Sequence, residues 1–118
     1  MGWYVAHVII AHRLRNDPED CIHVWENLYL VEGSSYEELV EEATQFGMDS
    51  IVDDPKFRID GKPARQEFVG VRKIIEVQNG EGPPASGTEL TFSSFVVKSG
   101  DDLRFLANGD DVEVLYRE

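Results

Sequence analysis

Phe68-Val69-Gly70-Val71-Arg72-Lys73-Ile74-Ile75-Glu76-Val77 is the strongest strand signal in the chain. Its β-branched and aromatic residues suit a pleated, half-buried surface. A glycine sits inside it, and glycine weakens a strand interior because it loses more entropy and packs nothing. Such a glycine marks a bulge or a place where something crosses close to the backbone. Gly70 is therefore expected beneath a packed helix or a large aromatic ring.

Just upstream, Asp60-Gly61 is a turn signal. It predicts that residues 56–59 fold back on residues 65–77 as a short strand. At the start of the chain, residues 3–12 are apolar on both faces. Trp3, Val5 and Ile9 point one way, and Tyr4, Val8 and Ile10 the other. That pattern fits the middle of a sheet. Residues 22–31 read as a second strand. The pair should form an antiparallel hairpin across a polar loop that contains Asp17-Pro18.

A helix with clear punctuation follows. Ser35 and Glu38 match the S-x-x-E capping box, in which each side chain bonds the other's backbone N–H. Tyr36, Leu39, Val40, Ala43 and Phe46 then fall on one helical stripe, and Gly47 is the expected stop. Residues 79–87 are a loop by composition, and residues 89–98 a further strand. Ser99 and Asp102 predict a second capped helix, short and ended by Asn108-Gly109. A last strand is expected at residues 112–116. The element order is β-β-α-β-β-α-β, with residues 56–59 as a minor addition. It predicts a single α+β domain over residues 1–118. Its two layers are an antiparallel sheet of about five strands and one main helix covering one face.

With 11 Lys and Arg against 23 Asp and Glu, the formal net charge is −12. A phosphate backbone rewards the opposite sign, so neither nucleic acid nor an anionic membrane is an expected partner. No apolar run is long enough to span a bilayer. The apolar start is interrupted by His7 and follows no basic region, which does not suit a secretory signal. Cys21 is the single cysteine, so no intrachain disulfide can form, and a cytoplasmic location is expected.

The residues that could carry chemistry are few. His7, His12 and His23 are the histidines of the chain. Pairing of the first two strands would set His12 opposite His23, weak candidates for a transition metal with Cys21 or Asp20. The spacing matches no tight zinc pattern, and no cofactor is expected. Cys21 beside His23 suggests a nucleophile, but Glu19 and Asp20 precede it and should raise the thiol pKa. Asp49, Asp53 and Asp54 offer hard-cation ligands without an EF-hand pattern. Trp3, Trp25, Tyr4, Tyr29, Phe92 and Phe95 lie on expected strands, where core packing is the ordinary fate. No nucleophile–base set stands out, so an enzyme is not the expected reading.

Trp3-Tyr4 opening the first strand, Glu41-Glu42-Ala43 on the helix, Phe68-Val69-Gly70-Val71, and Gly87-Thr88-Glu89 together resemble a bacterial family, domain of unknown function 4288. The resemblance spreads over most of the chain. It implies a small standalone bacterial protein and assigns no catalytic residue.

The functional expectation is a non-catalytic interaction module for a basic protein partner. Glu37, Glu38, Glu41 and Glu42 lie off the apolar stripe of the helix, and Asp53 and Asp54 follow, so these six form the expected docking residues. The alternative is a small-molecule or metal-binding domain at the first hairpin. Edge backbone in such a sheet must be covered, and a homodimer is one way to do it.

Overall fold

A computed structural model of the chain describes residues 2–78 and 82–117. The elements in chain order are β1 (Gly2–Leu14), β2 (His23–Gly33), α1 (Tyr36–Asp49), β3 (Arg58–Ile59), β4 (Lys62–Glu76), β5 (Phe95–Val96), α2 (Gly100–Asn108) and β6 (Leu115–Tyr116). Four strands form one antiparallel sheet in the order β2-β1-β4-β3, and β5 pairs with β6 on its own.

The α+β class stands, but the expected sheet of about five strands is a sheet of four plus a separate pair. Residues 89–94 account for the difference. They form no strand and are tied to the main sheet through side chains. The Phe92 carbonyl accepts from Lys73 Nζ at 3.0 Å, and Thr91 Oγ1 meets His7 Nε2 at 2.7 Å. Side-chain bonds here replace the backbone ladder that a fifth strand would need.

β1 is central, as its two apolar faces require. Ala6, Val8 and Ile10 are buried with Val31 of β2 and with Leu39 and Ala43 of α1. On the opposite face Val5, His7 and Ala11 are also buried. β1 and β2 keep one unbroken register, from Gly2 opposite Gly33 to His12 opposite His23.

The register between β1 and β4 breaks twice. Ile10 faces Phe68, Ile9 faces Gly70, Val8 faces Val71 and His7 faces Lys73. Val69 and Arg72 are thus the extra residues of two bulges. Gly70 sits at the first bulge, one of the two roles open to it, but the expected cover is absent. A Cβ built there meets nothing within 4 Å. The glycine that does lie under close packing is Gly47. A Cβ there would stand 2.6 Å from the Phe68 ring and 2.8 Å from Val8 Cγ1. Gly47 is therefore the point where α1 touches the sheet. The helix continues past it to Asp49 and is capped by Ser50.

The remaining punctuation is local. Ser35 caps α1 by accepting from Glu38 N at 3.2 Å. The Glu38 carboxylate does not return the bond and accepts from Ser34 Oγ at 3.0 Å. Asp60 and Gly61 both take positive φ, 50° and 79°, as a type I′ turn between β3 and β4 demands. Ser99 caps α2, and Gly109 ends it at φ 84°. The first three residues of the expected 79–87 loop lie outside the described residues. The strands expected at 89–98 and 112–116 shrink to the two-residue β5 and β6. No helix among the described residues is long and apolar enough to cross a membrane.

Candidate functional site

The acidic residues singled out from sequence are set around α1. Burial of Leu39, Ala43 and Gly47 against the sheet turns the opposite side of the helix to solvent. Glu37, Glu38 and Glu41 are exposed there, and Glu42 is half-buried. Asp53 and Asp54 are exposed in the stretch that follows the helix. Glu38 is bonded to Ser34, and Asp54 Oδ1 accepts from the Lys56 backbone N–H at 2.9 Å.

Several cations elsewhere in the fold are already engaged. Arg13 Nε donates to Glu67 Oε2 at 2.5 Å, and this hydrogen bond holds the guanidinium pKa above its ordinary value. Arg65 also approaches Glu67, and Arg72 approaches Glu26. Lys98 pairs with Glu113 and Arg104 with Asp101. None of these ion pairs includes Glu37, Glu41, Glu42 or Asp53.

His12 and His23 are cross-strand partners, as the hairpin register implied. The buried His12 ring is held on both nitrogens. Nδ1 lies 3.3 Å from the His23 carbonyl oxygen, which can only accept. Gln66 Oε1 accepts from Val52 N at 2.8 Å, so the Gln66 amide turns its NH2 toward His12 Nε2 at 3.2 Å. These partners place the proton on Nδ1 and make Nε2 an acceptor. Trp25 packs on the ring with centroids 4.2 Å apart. Among the described residues no three His, Cys, Asp or Glu side chains gather as a metal site.

Cys21 is exposed, with φ 47°. A hydrogen bond to Asp20, reinforced by the charge of that carboxylate, pushes its thiol pKa up. A raised thiol is a poor nucleophile at neutral pH. Of the aromatic residues expected in the core, Trp25, Phe92 and Phe95 are exposed.

Sequence reasoning missed a polar cluster on the face of the sheet away from α1. His7 is fully buried and joins Thr91 through Nε2. Its Nδ1 stands 3.4 Å from Glu26 Oε2. Tyr116 OH donates to Glu26 Oε1 at 2.5 Å and lies 2.9 Å from Ser93 Oγ. The bulge at Arg72 brings that side chain to the same carboxylate, with Nε at 3.7 Å from Oε2, and lays its guanidinium 4.1 Å from the centroid of the Tyr116 ring. One signal was legible, a lone histidine inside an apolar strand. Its partners were not, because they come from four distant segments. Thr91 and Phe92 also line an open cleft of about 400 Å³ with Ile74, Ile75, Glu76 and Leu90.

The family model for a domain of unknown function, DUF4288, matches residues 3–91. The chain belongs to the DUF4288 family. No curated protein and no solved structure matches the chain. The DUF4288 match takes in β1 through β4 with α1, and it ends at Thr91, the partner of His7. β5, α2 and β6 lie past its last residue, and Tyr116 fastens them to the DUF4288 sheet through Glu26.

Proposed function

We propose that this DUF4288 protein is a non-catalytic binding module whose acidic α1 face, with Asp53 and Asp54, captures a basic protein partner. The observation that carries this reading is the state of Glu37, Glu41, Glu42 and Asp53. Among the described residues, no ion pair engages any of the four. Two like-charged i,i+4 pairs, Glu37/Glu41 and Glu38/Glu42, weaken the helix slightly, so helix stability does not account for them. A positively charged partner would relieve that repulsion.

Such a surface acts mainly on association rate and on salt dependence. Changing Glu38, Glu41 and Glu42 together to Gln removes three charges and keeps the acceptors and the apolar stripe. The fold should persist, with an unchanged circular dichroism spectrum. A partner identified by co-purification from the native cell should then associate more slowly. The loss should be larger at low ionic strength than at high, because salt already screens the wild type. An unchanged association rate at low ionic strength would return the face to a solvated surface.

A further inference from the structure

We propose that the outer edge of β2 pairs with the same edge of a second copy of this chain, in an antiparallel arrangement whose two-fold axis passes Asn27. β2 ends the sheet, and among the described residues its 11 residues pair with β1 alone. Exposed edges of this length are normally blunted by a bulge, a proline, an inward charge or a covering element. β2 carries no bulge and no proline, its inward charge Glu26 is tied up by Tyr116 and Arg72, and among the described residues no strand pairs with its outer edge. Its register with β1 is unbroken, and residues 23–31 include no Pro, Lys or Arg. The far side of the sheet shows what protection looks like in this fold. There β4 is bulged twice, carries Arg65, Glu67, Arg72, Lys73 and Glu76, and has a two-residue β3 on its edge.

Charge selects a second copy of this particular edge. Two molecules of formal charge −12 repel, so they can meet only where carboxylates are sparse. Residues 23–31 hold one, Glu26, which is bonded to Tyr116 and faces Arg72. The sequence is also self-complementary about Asn27. A two-fold axis there sets Trp25 opposite Tyr29 of the second copy, and Val24 opposite its Leu30. Aromatic and apolar cross-strand pairs of this kind stabilise a sheet. Trp25, Val24 and Leu30 are 55%, 57% and 43% exposed in the single chain, so these groups are available. Repulsion between the copies is screened by salt, so this association should strengthen as salt is added. That is the opposite sign to capture of a basic partner, and the two fail independently.

The test is light scattering coupled to size exclusion. The wild type should run at twice its 13.4 kDa mass. Val24→Lys with Leu30→Lys sets like charges opposite each other in this register and should give a monomer. Val24→Lys with Leu30→Glu sets opposite charges there and should restore the dimer. Both positions are exposed, and circular dichroism checks that the variants fold. Asn27→Cys in a Cys21→Ser background should form a disulfide-linked dimer on oxidation, since residues at such an axis face their own copies within disulfide reach. A monomeric wild type at every concentration, a dimer that survives the Lys/Lys pair, or failure of both the Lys/Glu rescue and the Asn27→Cys crosslink would overturn the proposal.

Discussion

Tyr116 donates its hydroxyl proton to Glu26 Oε1 at 2.5 Å, across 90 positions of sequence. The other oxygen of that carboxylate faces His7 of β1 and Arg72 of β4. One carboxyl group on β2 thus gathers groups from β1, from β4 across it and from β6. Hydrogen bonds to a charged group contribute about 1.5–3 kcal/mol each. Tyr116→Phe should therefore destabilise by that order in a denaturant melt. It should also raise hydrogen exchange in β5 and β6 more than in β1. Equal protection in both places, with an unmoved midpoint, would remove Tyr116 from its role as the fastening.

Gly47 and Gly70 should respond in opposite ways to the same substitution. Gly47→Ala drives a methyl group into Phe68 and Val8, an overpacking that costs about 1–3 kcal/mol. Gly70→Ala meets open space and should change stability by no more than about 0.5 kcal/mol, with alanine if anything the better strand residue. Matched urea melts of the two variants check this ordering, and a larger loss at Gly70 would contradict it.

His12 should hold a single neutral tautomer. Its partners assign the proton to Nδ1, so nitrogen chemical shifts of the neutral ring should show a protonated Nδ1 and a bare Nε2. Gln66→Leu should remove that definition. It also strands a buried acceptor on His12, at a loss of about 1–3 kcal/mol. A spectrum with the Nε2–H form dominant in the wild type would contradict the network.

Cys21 should be slow to alkylate for an exposed thiol. The thiolate is the reactive species, and the Asp20 carboxylate opposes its formation by hydrogen bonding and by charge. Reaction with iodoacetamide should therefore rise at higher pH than for a free thiol. Asp20→Asn should move the profile to lower pH by removing the like charge. A profile insensitive to that change would show that Asp20 does not control the thiol.

How far the chain could be read from sequence depended on how local each cause was. The two-faced pattern of β1, the Ser35 and Ser99 caps, and the Asp60-Gly61 turn are set by neighbours within a few residues, and the structure bears them out. Gly47 takes the close-packed position expected for Gly70, because a glycine does not say what lies above it. Only the packing of α1 on Phe68 decides that. Residues 89–94 carry strand-like side chains, yet their bonds run to Lys73 and His7, which no local pattern encodes. The acidic face was legible because exposure of a helix follows from its apolar stripe. The Glu26 cluster was not, because a bulge turns Arg72 toward it, and a bulge is a property of two strands together.

The paired bulges at Val69 and Arg72 make β4 behave like a reading frame with an insertion and its suppressor. Each extra residue exchanges the two faces of the strand, and the second undoes the first. Ala64, Gln66, Phe68, Val71 and Ile74 therefore share one face, although Val71 is the odd-numbered residue among even ones. Loss of Val69 or of Arg72 would remove one bulge and leave both flanks paired with β1 as before, so Phe68 would keep its place under Gly47 and Ile74 its place opposite Ala6. Loss of both would leave a regularly alternating strand on the same faces, without the Arg72 side chain that reaches Glu26. In this protein the segment can therefore shorten by one residue or by two, provided the losses fall at its bulges, while every buried side chain keeps its layer.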